Sequence, residues 1–196
     1  MNINKKRVGV FSGSFNPIHV GHLVLANYIT EFTELDEMWF VVTPHNPLKS
    51  ADGLLNDDVR LEMVRLAIEG YGKLKVNDVE VSMPKPSYTI DTLRKLTADY
   101  PDIDFTLIIG ADNWHIIDQW KEYKQLLSEY KLMVYPRLGF TVNICDKYKS
   151  NVQLVEAPII EISSTFIRES IRACKDVRAF LPNSVSKFIN NNQLYQ

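Results

Sequence analysis

Apolar runs of strand length alternate with segments of helical period along nearly the whole chain. Arg7 to Phe11 predicts a buried strand, and Val20 to Phe32 a helix. Glu37 to Thr43, "EMWFVVT", predicts a second strand. Asn56 to Ile68 predicts a helix: Asp57 and Asp58 suit its positive end, and Leu61, Val64, Leu66, Ala67 and Ile68 form its apolar face. Lys75 to Ser82 reads as a strand and Thr89 to Tyr100 as a helix with Thr89 at its N-cap. Asp104 to Ile109, "DFTLII", is a buried-strand pattern that stops at Gly110. A helix over Glu122–Leu127 and strands over Tyr130–Tyr135 and Val152–Ala157 follow. Two short helices, Ser164–Ala173 and Pro182–Asn190, precede a polar tail, Asn190–Gln196, that reads as frayed.

This order predicts an α/β fold: a doubly wound, mostly parallel sheet with right-handed crossovers. There is no repeat, low-complexity tract or linker, so residues 1–196 read as a single domain. The helical C-terminal part, about 163–196, is expected on the sheet edge. Ligands of such sheets bind beyond the C-terminal strand ends. The segments "SGSFNPIH", "TPHNPLKS", "GADNW" and "APIIEISST" each follow a strand and should gather at that edge.

Composition narrows the partners. With 196 residues, 45% of them hydrophobic, the chain can bury a sizeable core. A net charge of -2 excludes a basic nucleic-acid coat, so an anion must be held by locally placed groups. Cys145 and Cys174 fit neither a disulfide framework nor a metal knuckle and read as free thiols in a reducing compartment. No apolar run is long enough for a bilayer and no signal peptide is evident, which predicts a cytoplasmic protein with no membrane partner.

The segment "GVFSGSFNPIHVGHLVLANYI" carries the most chemistry. A strand, a loop of small residues and a helix start offer backbone N–H groups and a positive dipole end to an anion. The Walker loop is excluded because no Gly-Lys-Ser/Thr is present, and Gly9, Gly13 and Gly21 lack the spacing of a dinucleotide fingerprint. His19 and His22 are three residues apart in the first helical turn and share a face. Gly21 between them leaves room for a ligand. As a pair they could hydrogen-bond phosphate oxygens. Surface histidines, a helix cap, or zinc ligands with His45 or His115 are the competing readings.

A second segment, "ISSTFIRESI", places Ser163, Ser164 and Thr165 at a helix start, with Ser164 or Thr165 as cap and Arg168 one turn on. "GSFNPIHVGH" resembles the H-x-G-H loop of the nucleotidyltransferase superfamily, which includes class I aminoacyl-tRNA synthetases. "ISSTFIR" resembles the I-S-S-T-x-I-R signature of adenylyltransferases, and no K-M-S-K-S-like segment is present. "RLEMVRLAI", "PSYTIDTL" and "IIGADNW", with Trp120 beyond, are similar to bacterial nicotinate-nucleotide adenylyltransferases from about Arg7 to Arg168.

The resemblance implies a Rossmann-like fold and the reaction of ATP, with Mg²⁺ on its polyphosphate, and nicotinate mononucleotide to nicotinate adenine dinucleotide and pyrophosphate. It implies that His19, His22 and Arg168 are catalytic, with His22 toward the α-phosphate, and that no metal is held by the protein itself. Gly13, Ser14, Phe15, Ser163, Ser164 and Thr165 would join them around the ATP phosphates, and Gly110 and Asp112 would meet the ribose. Thr89 and Trp120 would meet the nicotinate ring, with Lys49 and Arg137 also on the mononucleotide side and close to phosphate. Asn46, Pro47 and Leu48 separate His45 from Lys49, a departure from the family's Pro-His-Lys run. Trp120 also reads as a core anchor, Asp112 as a helix cap, Arg137 as a turn residue, and Arg60 as an exposed helix charge or structural pair. The alternatives in function are another small nucleotidyltransferase, such as one acting on phosphopantetheine, and a non-catalytic nucleotide sensor. Oligomeric state is open.

Overall fold

Apolar residues at odd and even positions alike bury β1 (Lys6–Gly13) on both faces. Val8 and Val10 pack on one side and Phe11 on the other. The structure, a computed structural model, describes residues 5–44 and 53–196. His45 and Lys49 lie outside the described residues.

After β1 come α1 (Val20–Phe32), β2 (Glu37–Val42), α2 (Asp57–Ile68) and β3 (Leu74–Asn77). The second half contains α3 (Thr89–Asp99), β4 (Ile103–Gly110), α4 (Ala111–His115), α5 (Tyr123–Glu129) and β5 (Lys131–Tyr135). β6 (Val152–Leu154), α6 (Ser164–Arg172) and α7 (Asn183–Asn191) complete it. The strands form one sheet in the order β3-β2-β1-β4-β5-β6, with every pair parallel. The order reverses between β1 and β4, and the crevice at that reversal is where a doubly wound sheet binds ligands.

Alternation along the strands divides the core. Met38, Phe40 and Val42 of β2 join α1, α2, α6 and α7 on one face. Trp39 and Val41 join α3 and α5 on the other. The C-terminal helices, expected on the sheet edge, therefore lie on a face: Val185 and Ile189 of α7 are buried, and Ser184 Oγ donates to the Leu66 carbonyl of α2 at 2.8 Å.

Three other expectations are corrected. The strand expected over Lys75–Ser82 stops at Asn77, whose side-chain oxygen accepts from the Val79 N–H at 2.9 Å and starts a 3₁₀ turn, Val79–Ser82. β6 is half its expected length, since its ladder runs out where β5 ends at Tyr135. The tail is held rather than frayed, with Tyr195 only 7% exposed. Of the two readings of Arg60, an exposed charge or a structural pair, the second holds, and the residue is fully buried. Its Nη1 donates to the carbonyls of Ser14 (2.7 Å) and Thr43 (2.8 Å), its Nε to that of Leu55 (3.0 Å), and it pairs with Asp57.

Arg60 thus ties α2 to the chain leaving both β1 and β2. Arg60→Ala is expected to destabilise the fold by about 3–5 kcal/mol, because it strands the carbonyls of Ser14, Thr43 and Leu55 and removes Arg60 from the pairing at Asp57, which Lys85 also holds. Urea unfolding of the two proteins measures this, and equal midpoints would contradict it.

Candidate active site

Between Gly13 and α1 the chain must turn out of the sheet within Ser14–His19. Phe15 takes a left-handed backbone (φ 44°) and swings its ring back under the turn. There it packs edge-on against Phe11, Phe40 and His22 and is 2% exposed. A Cβ at Gly13 would come within 3.0 Å of that ring, so glycine is needed there. Phe15 is consequently a core residue, and what it can offer a ligand is its backbone.

His19 is the N-cap of α1, and its ring stacks on that of His22 with centroids 3.7 Å apart. Gly21 makes this possible: a Cβ there would sit 3.0 Å from His19 Nδ1. The glycine serves the histidine ring, a different reason from the ligand access expected of it. His22 reaches back over the turn, and its Nδ1 accepts from the His19 backbone N–H at 3.2 Å. An accepting Nδ1 in a neutral imidazole leaves the proton on Nε2 as a donor. His19 is 4% exposed; burial, reinforced by the positive charge of Arg137, pushes its pKa down to about 4. At neutral pH it is uncharged.

The other side of this cleft is the start of α6. Ser163, not Ser164 or Thr165, caps the helix, accepting from the Phe166 N–H at 3.1 Å. Ser164 is drawn elsewhere: its Oγ donates to the Pro17 carbonyl at 2.8 Å. Arg168 Nη1 donates to the Asn16 carbonyl at 2.9 Å and Nη2 to Thr165 Oγ at 3.3 Å. Arg168 Nε is buried with no hydrogen-bond partner among the described residues. These contacts join segments 147 and 152 positions apart in sequence.

Two cavities flank the β1–α1 turn. The wider, about 870 Å³, is lined by Gly13, Ser14, Phe15, His19 and His22, and also by Asp112, Arg137, Ser163, Ser164, Thr165 and Arg168. The second, about 190 Å³, lies beside β4 and is lined by Gly110, Thr89, Trp120, Glu80, Ser87 and Tyr88. Gly13, Ser14 and Tyr135 line both. Most of the phosphate-facing set expected from the sequence is thus brought together in space, with two differences. Gly110 lines the smaller cavity, where its lack of a side chain leaves room for Asp112 and the Tyr135 ring. Arg137 lines the wider one, 3.8 Å from Asp112 and stacked over the Tyr135 ring at 5.3 Å, and so sits with the triphosphate set rather than with Thr89 and Trp120.

Thr89 is the first residue of α3, and Tyr88 is its N-cap. The start of that helix therefore borders the small cavity with its N–H groups available to an anion. Trp120 Nε1 is buried with no hydrogen-bond partner among the described residues, and the indole lines the wall opposite. Glu80, which the sequence pattern absorbs into a strand, is 2% exposed on the same wall and accepts from Thr92 Oγ at 2.9 Å. Burial raises its pKa to about 7 against the opposing hydroxyls of Thr92, Thr43 and Ser87. Only the Asn77 break hints at it in the sequence. Asn16 carries no signal of its own within the loop, although it is 3% exposed at the centre of the turn.

A cytidylyltransferase-like family model matches residues 10–170. A probable nicotinate-nucleotide adenylyltransferase of Bacteroides fragilis is 54% identical, over 94% of this chain and 92% of the relative. One of Flavobacterium johnsoniae is 45% identical, over 97% and 99%. In solved structures the fold is similar to that of a Plasmodium falciparum nicotinic acid mononucleotide adenylyltransferase complexed with NaAD, at TM-score 0.79, 23% identity and 97% coverage of each chain. It is also similar to a Vibrio parahaemolyticus putative nicotinate-nucleotide adenylyltransferase, at TM-score 0.73, 21% identity and coverage of 97% and 95%.

The two displaced ionisations oppose each other with pH. Glu80 binds its proton more tightly folded than unfolded, so its contribution is full below pH 4.5 and is lost as pH rises toward 7. His19 binds its proton less tightly folded, so its contribution is full above 6.5 and is lost as pH falls toward 4. Relative to wild type, Glu80→Gln is expected to gain about 2–3 kcal/mol more at pH 8 than at pH 5, since each pH unit separating the folded and unfolded pKa corresponds to about 1.4 kcal/mol. Urea unfolding at the two pH values tests this; an equal difference at both would show that Glu80 titrates as an ordinary carboxylate.

Proposed function

We propose a residue-level scheme for this chain, which belongs to the nicotinate-nucleotide adenylyltransferase family and joins ATP to nicotinate mononucleotide, releasing pyrophosphate, in NAD biosynthesis. The observation that carries the scheme is the closure of the two anion-binding helix starts, α1 and α6, over one cavity through Ser164 and Arg168. ATP takes the wider cavity and the mononucleotide the narrower, and their phosphates meet at the Gly13–Ser14 turn that both share.

In the reaction a phosphate oxygen of the mononucleotide attacks the α-phosphorus of ATP. The new P–O bond forms as the bond to the β-phosphate bridging oxygen breaks, and pyrophosphate leaves with that electron pair. Nothing need be attached covalently to the protein, so orientation and charge stabilisation supply the acceleration. His22 Nε2–H donates to the α-phosphate as negative charge grows there. Neutral His19, stacked behind it, holds that ring in place and keeps the site free of a competing cation. Arg168, whose side chain lines the wider cavity, and the N–H groups at the start of α6 receive the departing pyrophosphate. Ser163 lines the cavity and, while its Oγ caps α6 as an acceptor, keeps its O–H to donate to a phosphate oxygen, whereas Ser164 spends its O–H on the Pro17 carbonyl and holds the turn. Asp112 and Arg137 stand at the rim where the ribose and outer phosphates would lie.

The polar groups lining the wider cavity are mainly imidazoles, hydroxyls and guanidinium groups, with the carboxylates Asp112 and Glu161 also on its wall, and among the described residues no three acidic, His or Cys side chains converge. That donor set suits phosphate oxygens, so Mg²⁺ would be bound by the triphosphate and water, lowering the charge on the leaving group. In the narrow cavity the start of α3 favours the pyridine carboxylate over an amide, and Trp120 stacks on the ring. A cytoplasmic location fits the two exposed free thiols, Cys145 and Cys174.

Pyrophosphate release from ATP and Mg²⁺ should require nicotinate mononucleotide, with nicotinamide mononucleotide far slower and phosphopantetheine inactive. Release with phosphopantetheine would overturn the assignment of the narrow cavity. His22→Ala is expected to lower kcat about 10²–10³-fold while ATP binding stays within roughly tenfold, the signature of a contact made mainly in the transition state. Trp120→Ala is expected to raise KM for the mononucleotide about 10-fold or more with KM for ATP unchanged, measured by steady-state kinetics.

A further inference from the structure

Near the end of the chain, Tyr195 lies in the core below the β1–α1 turn. Its hydroxyl donates to Asn16 Oδ1 at 2.8 Å in a buried bond that joins positions 179 apart. Gln193 (φ 52°) closes α7 in a Schellman turn, with the Leu194 N–H donating to the Ile189 carbonyl at 3.0 Å and the Gln193 N–H to that of Asn190 at 3.2 Å, and Tyr195 (φ 67°) holds a further left-handed backbone beyond it. The turn that ends α7 thus carries the chain back, and only at Tyr195 is the backbone held away from its local preference. Burial holds the phenol above its usual pKa, so it remains a donor.

Asn16 is where the tail's effect would reach the chemistry. Its Nδ2 donates to the Gly53 carbonyl at 2.9 Å, and its Oδ1 has one further, longer contact, from the Leu55 N–H at 3.5 Å. Its main-chain carbonyl is the acceptor for Arg168 Nη1. Without the Tyr195 hydroxyl, Oδ1 keeps only the long contact, and the peptide that anchors Arg168 loses its tightest side-chain restraint.

We infer that Tyr195 is a positioning residue for the ATP half of the site, acting through Asn16 on the turn and on Arg168. The inference rests on the assignment of the wider cavity to ATP. It also predicts selectivity. Thr89 and Trp120 belong to elements on the opposite face of the sheet from α7, and the mononucleotide cavity meets the turn only at its Gly13–Ser14 end, away from Asn16 and Arg168, so it should register the change far less than the ATP cavity.

The test compares wild type, Tyr195→Phe, truncation after Leu194, and Ile189→Val, a buried change in α7 with no contact to Asn16. Thermal unfolding, direct ATP binding and steady-state kinetics are measured for each. Tyr195→Phe should weaken ATP, by KM and by Kd, about 5-fold and lower kcat about 5-fold, with KM for nicotinate mononucleotide within twofold; truncation should do the same more strongly. Ile189→Val should lower Tm without changing the ATP parameters. In an Arg168→Ala background, Tyr195→Phe should add little, because the path to the phosphates is already cut. Wild-type ATP affinity in Tyr195→Phe, equal changes for both substrates, or the same ATP loss in Ile189→Val would overturn the inference. Direct ATP binding keeps the result separate from the assignment of the second substrate: if wild type bound ATP but did not turn over nicotinate mononucleotide, the functional reading would fail while Tyr195 was still judged on ATP affinity.

Discussion

The site depends on satisfying the backbone carbonyls of one sharp turn. Leaving a parallel strand and entering a helix within Ser14–His19 exposes acceptors that the sheet cannot pair, in a region largely closed to water. Arg60 takes the carbonyl of Ser14, Arg168 that of Asn16 and Ser164 that of Pro17. These donors come from α2 and α6, two helices far apart in the chain. The same bonds that satisfy the turn therefore bring both helices against it. Binding geometry and fold stability rest on one set of contacts here.

That dependence explains the division of labour among similar side chains. Arg60 and Arg168 both donate to the turn, but Arg60 is fully enclosed and directs its donors to protein, whereas Arg168 keeps part of its guanidinium facing the cavity. The serines of α6 likewise divide into a cap and a tether. In the proposed scheme phosphate contacts are assigned to N–H groups at helix starts, to Arg168 and to His22. Such groups are fixed before substrate arrives, which is the condition for electrostatic stabilisation without reorganisation.

Burial also sets protonation in the two halves of the cleft. His19 is held neutral at the wall of the cavity assigned to ATP, and Glu80 is held toward its neutral form beside the cavity assigned to the pyridine. An ionised Glu80 would repel a substrate carboxylate, so the desolvation that raises its pKa also suits the anionic ligand.

Local pattern is enough to determine the order of the strands and of the helices other than the short α4, the parallel sheet, and the two helix starts that face the wider cavity. Buried parallel strands must be apolar on both faces, and the residues His19, His22 and Arg168 belong to contiguous motifs with fixed spacing. Pattern fails where a polar residue's partner is distant in the chain. Arg60 looks like a surface charge because helix periodicity cannot show that carbonyls of Ser14 and Thr43 converge on it. Glu80 is lost in a strand that Asn77 ends, and the polar tail looks frayed because nothing near Tyr195 in sequence reveals Asn16 beneath it. Which serine caps α6 depends on where the turn carbonyls lie. The sequence by itself determined the elements and the chemistry carried by its motifs, since both are local properties of side-chain type and spacing. The tertiary structure alone decided which polar groups face substrate and which hold the turn, because that depends on donors and acceptors meeting across more than a hundred residues of chain.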